Sequence, residues 1–423
     1  MKLFKISDGY LKYLILIFVF IQIIDNSSVA QDNPYEISYY NFIRYDDNHF
    51  KFFNDSLDFM SLFKSFNDLI LKGDGTINVV HIGDSHIQAD YYSGRIRQRL
   101  QTFFQGGLGG RGFIFPYTVA NTNNPSNYKI KYTGNWIPCR NVENDKNCDL
   151  GLSGISVTSY DSIASIAIIL NDNDYPKYDF NKVKIFHPVK NNEFSVIIDK
   201  YLEKKSVLLN DSLGYTMFLL ENYIDTLFLK FIKTDSLQNE FVLHGISLET
   251  DDPGVVYHSI GVNGAKAESY LRCNLFSQHL KALEPDWIII SLGTNDAYHE
   301  NFDEKVFEEH YETLIKKIKS AAQGKPLLLT VPGDSYRFRK YLNKDMIKVK
   351  EVIYKLAEKY NCGIWDFYSV MGGLNSIVLW DRNGLAGKDK LHFSKEGYLL
   401  QGDLFFNAFL KKYDEYIDQM LDD

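Results

Sequence analysis

Cysteine is scarce in this sequence, four in 423 residues, and no CxxC or grouped Cys/His spacing occurs. That argues against a fold held by a disulfide framework and against a zinc site. Basic residues form no dense Lys/Arg stripe and the formal charge is −8, so nucleic acid is not the partner read from this chain. No GxxxxGK[ST] loop is present, and the glycines at 106, 107, 109, 110 and 112 are therefore not read as a phosphate cradle. They read as a flexible or closely packed loop that carries Arg111 near a substrate. No apolar run reaches the roughly 20 residues needed to span a bilayer, no lipobox cysteine is available for a lipid, and no internal repeat is evident.

The longest apolar run, Leu14 to Ile24, has 11 residues and contains Gln22. Lys2, Lys5 and Lys12 precede it, and the small residues Ser28, Val29 and Ala30 follow, which is the order of a signal peptide over 1–30 cut before Gln31. Export is the expectation, and an uncleaved anchor is the alternative. In that setting Cys139 and Cys148, which flank the polar stretch RNVENDKN, are a candidate disulfide, while Cys273 and Cys362 read as buried free thiols. Aromatic residues make up 15% of the chain, with 29 Tyr and 30 Phe. They suit sandwich cores and sugar-stacking surfaces alike.

Two α/β blocks frame something different. The first runs from about 50 to 115, with a helix near 54–71, a strand at Ile77, Val79, Val80 and Ile82, and a helix from about 89. The second begins near 255, with strands at VVYHSIGV, WIIISLG, PLLLTVP and GIWDFY and helical patterns near 265–282, 303–321, 344–360 and 395–411. Strand and helix alternate at βαβ spacing, which calls for a parallel sheet covered on both faces. From about 117 to 248 short runs such as YKIKYTG, ISVTSY, ASIAIIL, KVKIFHP, TLFLKFIK and FVLHGISLE are separated by Asn, Asp and Gly turns, at the spacing of an all-β sandwich. The fold expected is α/β, interrupted by an inserted all-β sandwich over 117–248. The flanking parts are 31–116, including an N-terminal helical extension, and 249–423.

Chemistry concentrates at strand ends. In INVVHIGDSHIQAD, Gly83 breaks the strand and Ser85 sits where strand hands over to helix, at the edge where open α/β sheets bind ligands. A serine hydroxyl becomes a nucleophile only when a base takes its proton, and the base needs an orienting acceptor. His392 and Asp389, three apart in DKLH, can share one turn and supply both roles. Acyl transfer also needs donors aimed at the developing oxyanion. The backbone N–H of Ser85, Gly264 after the 255–262 strand and the side chain of Asn295 after the 287–293 strand all fall at the same edge. Asp84, Asp90 and Asp296 invite a metal or paired-carboxylate reading, but Asp84 more simply holds the turn around Ser85 and Asp296 caps a helix or loop. His86 is read as a pocket or loop-holding residue, and His81 as packed and satisfied within its strand.

These blocks resemble those of the SGNH, or GDSL-like, hydrolase family: GDSH at 83–86, Gly264, GTND at 293–296 and DKLH at 389–392, in family order. The resemblance covers roughly 70–115 and 250–415. It implies an SGNH-type three-layer sandwich with a central parallel sheet, Ser85 as nucleophile, His392 as base, Asp389 as orienter, and an oxyanion hole of Ser85, Gly264 and Asn295, with no cofactor and no metal. His86 stands where many members carry leucine, as in the GDSH-type branch that includes bacterial peptidoglycan O-acetylesterases. Those are similar also in export, in FFQGGLGGRGFIFP, in WDRNGLAGKDKLHFSKEGY and in a carbohydrate-binding-like sandwich inserted in the catalytic domain. By that likeness Trp380 and Leu385 join Asp84, His86 and Arg111 as pocket-side candidates, and the partner is an acetylated glycan of the bacterial envelope, met in the periplasm or outside the cell. The alternatives are an esterase on another acetylated polysaccharide, a lipase or thioesterase, and a glycan-binding envelope protein without activity.

Overall fold

Runs of Ile, Val and Leu, closed by Gly or Asp, form the strands of a sheet covered on both faces. The computed structural model describes residues 36–53, 57–104, 106–170, 176–189, 193–199 and 201–422, and the signal peptide expected over 1–30 lies outside the described residues. The central sheet has six strands: β1 (Phe50–Lys51), β2 (Thr76–Gly83), β3 (Gly254–Gly261), β4 (Trp287–Ser291), β5 (Leu327–Val331) and β6 (Gly363–Asp366). Their order is β1-β6-β5-β4-β2-β3. All pairs are parallel except β1 with β6. Strand β2 lies between β3 and β4, so the direction of winding reverses beside it. That reversal opens a crevice at the carboxyl ends of these three strands.

Side chains alternate across the sheet with period two. Val80, Ile82, Ile288 and Ile290 enter one core, and Ile77, Val79, Trp287 and Ile289 enter the other. The helices are α1 (Leu57–Lys72), α2 (Ser85–Gln88), α3 (Tyr92–Thr102), α4 (Glu304–Ala321), α5 (Met346–Tyr360) and α6 (Lys395–Asp422), with shorter ones at Ala267–Leu271, Phe276–Ala282, Phe367–Val370 and Ile377–Arg382. Phe63 and Phe66 of α1 meet Phe409 of α6 in one core, and Tyr311 of α4 and Leu356 of α5 fill the other. The single helical pattern expected over 265–282 is two short helices. The helix expected over 395–411 runs on to Asp422. Among the described residues no helix is long and apolar enough to cross a membrane.

Among the described residues there are also three larger antiparallel sheets and a two-stranded one, Tyr336–Arg337 with Tyr341–Leu342. Of the larger three, one contains Lys204–Asn210, Tyr215–Ile224, Phe180–Phe186, Gly245–Glu249 and Gly110–Ile114 in that order; another Tyr128–Thr133, Ile163–Leu170, Thr226–Ile232 and Ser195–Ile198; the third Phe241–Leu243, Ile155–Ser159 and Ile137–Arg140. Their inward residues, Ile166, Ile168, Val183 and Leu229 among them, continue the core that Val80 and Ile82 enter. The run FVLHGISLE proves to be two strands in two different sheets. Tyr215–Ile224 was not expected at all, because its register shifts between Leu219 and Ile224 and the period-two pattern is lost there. Cys139 and Cys148 are joined as a disulfide, and Cys273 and Cys362 are free and buried.

Candidate active site

Ser85 opens the one-turn helix α2 directly after β2. Two glycines make that placement possible. A Cβ on Gly83 would lie 2.3 Å from Ile87 Cγ1, and one on Gly261 of β3 would lie 2.3 Å from the Gln88 nitrogen and 2.6 Å from the Asp84 carbonyl. The turn carrying Ser85 therefore rests on bare backbone. Gly261→Ala is expected to push it outward and to lower kcat for an ester substrate by about 100-fold, as a displacement near 1 Å does. Steady-state kinetics with circular dichroism of the variant check this, and an unchanged kcat would refute it.

The segment after β6 brings the distant partners. Ser85 Oγ lies 2.9 Å from His392 Nε2, and His392 Nδ1 lies 2.8 Å from Asp389 Oδ2. The other carboxylate oxygen accepts from the backbone N–H of Leu391 (3.1 Å) and of His392 (3.0 Å). Lys390, with φ +52°, folds the intervening turn. Burial alone would raise the Asp389 carboxyl, but the hydrogen bonds from His392 and from the two backbone N–H groups outweigh it and hold the group below the usual carboxylate range. In return the hydrogen bond to Asp389 raises the His392 imidazole above its ordinary value, against the opposing effect of burial. An ionised carboxylate only accepts, so it fixes the proton on Nδ1 and leaves Nε2 as the acceptor facing Ser85.

Ser85 and His392 open into a cavity of about 600 Å³ whose wall also includes Gly264 and Asn295. Gly264 takes φ +82° with nothing within 4 Å of where a Cβ would stand. That left-handed conformation suits glycine, and its missing side chain leaves the cavity clear. The Asn295 amide donates to Asp84 Oδ2 (3.0 Å) and to the Ala265 carbonyl (3.1 Å). Asp84 is buried, accepts from the His86 N–H at 3.0 Å, and is pushed by burial up to about 7. It braces the turn and Asn295 from behind and does not line the cavity. His86 is likewise behind the wall. Its Nδ1 pairs with the Tyr398 hydroxyl at 2.9 Å, its ring packs 5.2 Å from that of His392, and burial with the nearby His392 pulls it down to about 3.

Three other pocket-side candidates are placed elsewhere. Arg111 is 2% exposed, bonds Asp90 Oδ2 at 2.5 Å and lies over the Tyr128 ring, because a buried guanidinium needs its carboxylate. Trp380 is fully buried, with its N–H on the Met371 carbonyl and its ring against Phe393. Leu385 is also core. These two support the segment bearing His392 from beneath. Asp296 accepts from the Ala267 N–H and so caps a neighbouring helix, not its own loop. His81 is satisfied by Tyr257 and Ser291, each at 2.6 Å.

Sequence reasoning missed several wall residues: Gln88, Tyr91, Asn123, Asn124, Asn263 and Tyr398. Gln88, one turn beyond Ser85, accepts from the Asn263 N–H at 2.7 Å and donates to the Asn123 carbonyl at 2.9 Å, tying the loop before Tyr128–Thr133 to the loop after β3. The dense run NTNNPSN at 121–127 was the available signal. Its polar side chains give the cavity a hydrogen-bonding wall.

Residues 237–400 match the family model described as GDSL-like lipase/acylhydrolase. Among solved structures, a peptidoglycan O-acetylesterase aligns with a TM-score of 0.70 at 19% identity, covering 86% of this chain and 99% of that one. A lipase/acylhydrolase from Enterococcus faecalis aligns at 22% identity and TM-score 0.30 over 38% of this chain and 78% of that one. An acetylxylan esterase from Geobacillus stearothermophilus aligns at 20% identity and TM-score 0.31 over 38% and 73%. No curated protein matches. Over residues 237–400 the chain thus resembles the GDSL-like lipase/acylhydrolase family, and it shares the fold of the solved peptidoglycan O-acetylesterase, a parallel α/β sheet with additional antiparallel sheets.

Proposed function

We propose that the protein is an exported serine esterase that removes O-acetyl groups from a glycan of the bacterial envelope, peptidoglycan foremost. The observation that carries this reading is the unbroken relay Ser85, His392, Asp389 at 2.9 and 2.8 Å, opening into a cavity walled by Asn, Gln, Ser and Tyr. The Asn, Gln and Ser side chains in that wall offer hydrogen bonds to sugar hydroxyls. In this mechanism His392 takes the Ser85 proton as Oγ attacks the acetyl carbon. The N–H groups of Ser85 and Gly264 hold the oxyanion, and His392 then protonates the departing sugar hydroxyl. Water, deprotonated by His392, releases acetate from Ser85. Asn295 joins the oxyanion donors by exchanging its bond to the Ala265 carbonyl for one to the substrate. No cofactor enters the scheme.

The catalytic domain in this proposal comprises 31–116 and 249–423, and 117–248 is an inserted carbohydrate-binding-like module. The likeness to the solved peptidoglycan O-acetylesterase supports that glycan over others. Acetate release from O-acetylated peptidoglycan, measured beside O-acetylated xylan, is the test. Release from peptidoglycan at a several-fold higher kcat/KM is expected, and release from xylan alone would overturn the assignment.

A further inference from the structure

Between β5 and α5 the chain makes a two-stranded hairpin, Tyr336–Arg337 with Tyr341–Leu342, which the mechanism above does not use. Its turn is an unfavourable one. Phe338 and Arg339 take φ +50° and +63°, and the Lys340 N–H donates to the Arg337 carbonyl at 3.0 Å. Two successive left-handed residues at such a turn ordinarily select Asn and Gly. Bulky side chains persist in that conformation only where their surroundings hold them. Tyr298 does so here: its hydroxyl accepts from the Phe338 N–H at 3.2 Å, and its ring meets that of Phe338 edge-on at 5.2 Å.

The hairpin is bonded to both loops that carry the chemistry. On one side Arg337 Nε and Asn343 Nδ2 donate to the Ala297 carbonyl at 2.9 and 3.1 Å. Ala297 closes the turn that bears Asn295, with its own N–H on the Gly293 carbonyl at 3.2 Å, and Arg337 is fixed in place by Asp345. On the other side the Tyr336 N–H donates to the Lys390 carbonyl at 2.8 Å, and the Lys390 ammonium lies over the Tyr336 ring, 5.0 Å from its centroid. The Tyr336 hydroxyl donates to Asn375 Oδ1 at 2.8 Å. Lys390 is the left-handed residue between Asp389 and His392, a conformation that a lysine does not adopt unaided. The contacts with Tyr336 therefore hold the backbone turn on which the placing of base and orienter depends. Neither Tyr336 nor Arg337 is in the wall of the reaction cavity.

We infer that this hairpin is a clamp that sets the His392 turn against the Asn295 loop, with Tyr336 and Arg337 as positioning residues for acyl transfer. The inference rests on the serine esterase reading above. It is tested by kcat, KM and the pH profile on a small acetyl ester, with thermal unfolding of the same preparations. Tyr336→Leu keeps an apolar body and removes the aromatic face under Lys390; kcat is expected to fall about tenfold with KM unchanged. Because the hydrogen bond to Asp389 raises His392, a loosened turn also moves the activity midpoint to lower pH. Asp389, Asp84 and His86, which surround His392, are untouched in every variant. Tyr336→Phe retains the ring and should restore both values. Arg337→Ala acts on the other loop, so its kcat falls by a similar factor while the pH midpoint stays in place. An unchanged kcat in Tyr336→Leu, a Tyr336→Phe protein as slow as Tyr336→Leu, or a loss that follows melting temperature with no shift in the pH midpoint would overturn the clamp. Full activity in Ser85→Ala would instead overturn the serine esterase reading.

Discussion

Ser85→Ala abolishes turnover of a small acetyl ester, with kcat falling on the order of 10⁶-fold. The expectation follows from the proposed role of the hydroxyl: it stands 2.9 Å from His392 Nε2, which takes its proton as it forms the acyl-enzyme. Alanine removes Oγ and one hydrogen bond to His392, a loss of about 1 kcal/mol in stability at most, so the protein remains folded and keeps its affinity for glycan. Ester hydrolysis and thermal unfolding are measured on the same preparation. Turnover within 100-fold of the original would refute the nucleophile assignment, and a normal melting temperature ensures that lost activity is chemical.

Asp389→Asn is the second large effect, about 10⁴-fold in kcat. The carboxylate accepts from His392 Nδ1, which reserves Nε2 for the proton of Ser85. An asparagine amide can donate to Nδ1 instead and favours the tautomer with a hydrogen on Nε2, pointing at Ser85. The pH profile carries the same information. The hydrogen bond to Asp389 raises His392 above its ordinary 6.5, and only neutral His392 can accept a proton. Activity in the unmodified protein therefore rises with pH through a midpoint above 6.5 and is lost on the acid side. In Asp389→Asn the midpoint moves to lower pH. A midpoint that stays in place would separate Asp389 from the relay.

The stabilising part of this pair has its own pH window. Asp389 is depressed below its unfolded value, so its contribution is present above pH 3.8 and is lost as pH falls through the folded value. His392 is raised, so its contribution is complete below pH 6.5 and is lost as pH rises through the folded value. The pair stabilises the fold most between those limits and hydrolyses best above the upper one. In the proposed mechanism, catalysis uses the state in which the ion pair has given up its proton.

Much of the α/β portion was legible in the sequence because its signals are local. Ile77 to Ile82, Trp287 to Ile290 and Leu327 to Val331 announce buried strands by composition, and GDSH, GTND and DKLH mark the turns that follow strands or bear the base. The strand at Tyr215–Ile224 was not legible, since a register shift interrupts its alternation. Arg111, Trp380 and Leu385 were read as pocket residues because they accompany the right motifs. Proximity in sequence does not say which way a side chain faces. Arg111 turned inward once Asp90, held at φ +54°, offered a buried carboxylate.

The sequence by itself determined the strand and helix pattern of the catalytic blocks and the residue types that acyl transfer needs. Each of those follows from periodicity or from the chemistry of single side chains. Tertiary structure alone decided that Ser85 and His392, 307 positions apart, stand within a hydrogen bond. It decided too that the run NTNNPSN walls the cavity through Gln88. These are products of chain closure around a common core, where the reversal of winding at β2 gathers the ends of β2, β3 and β4 at one edge.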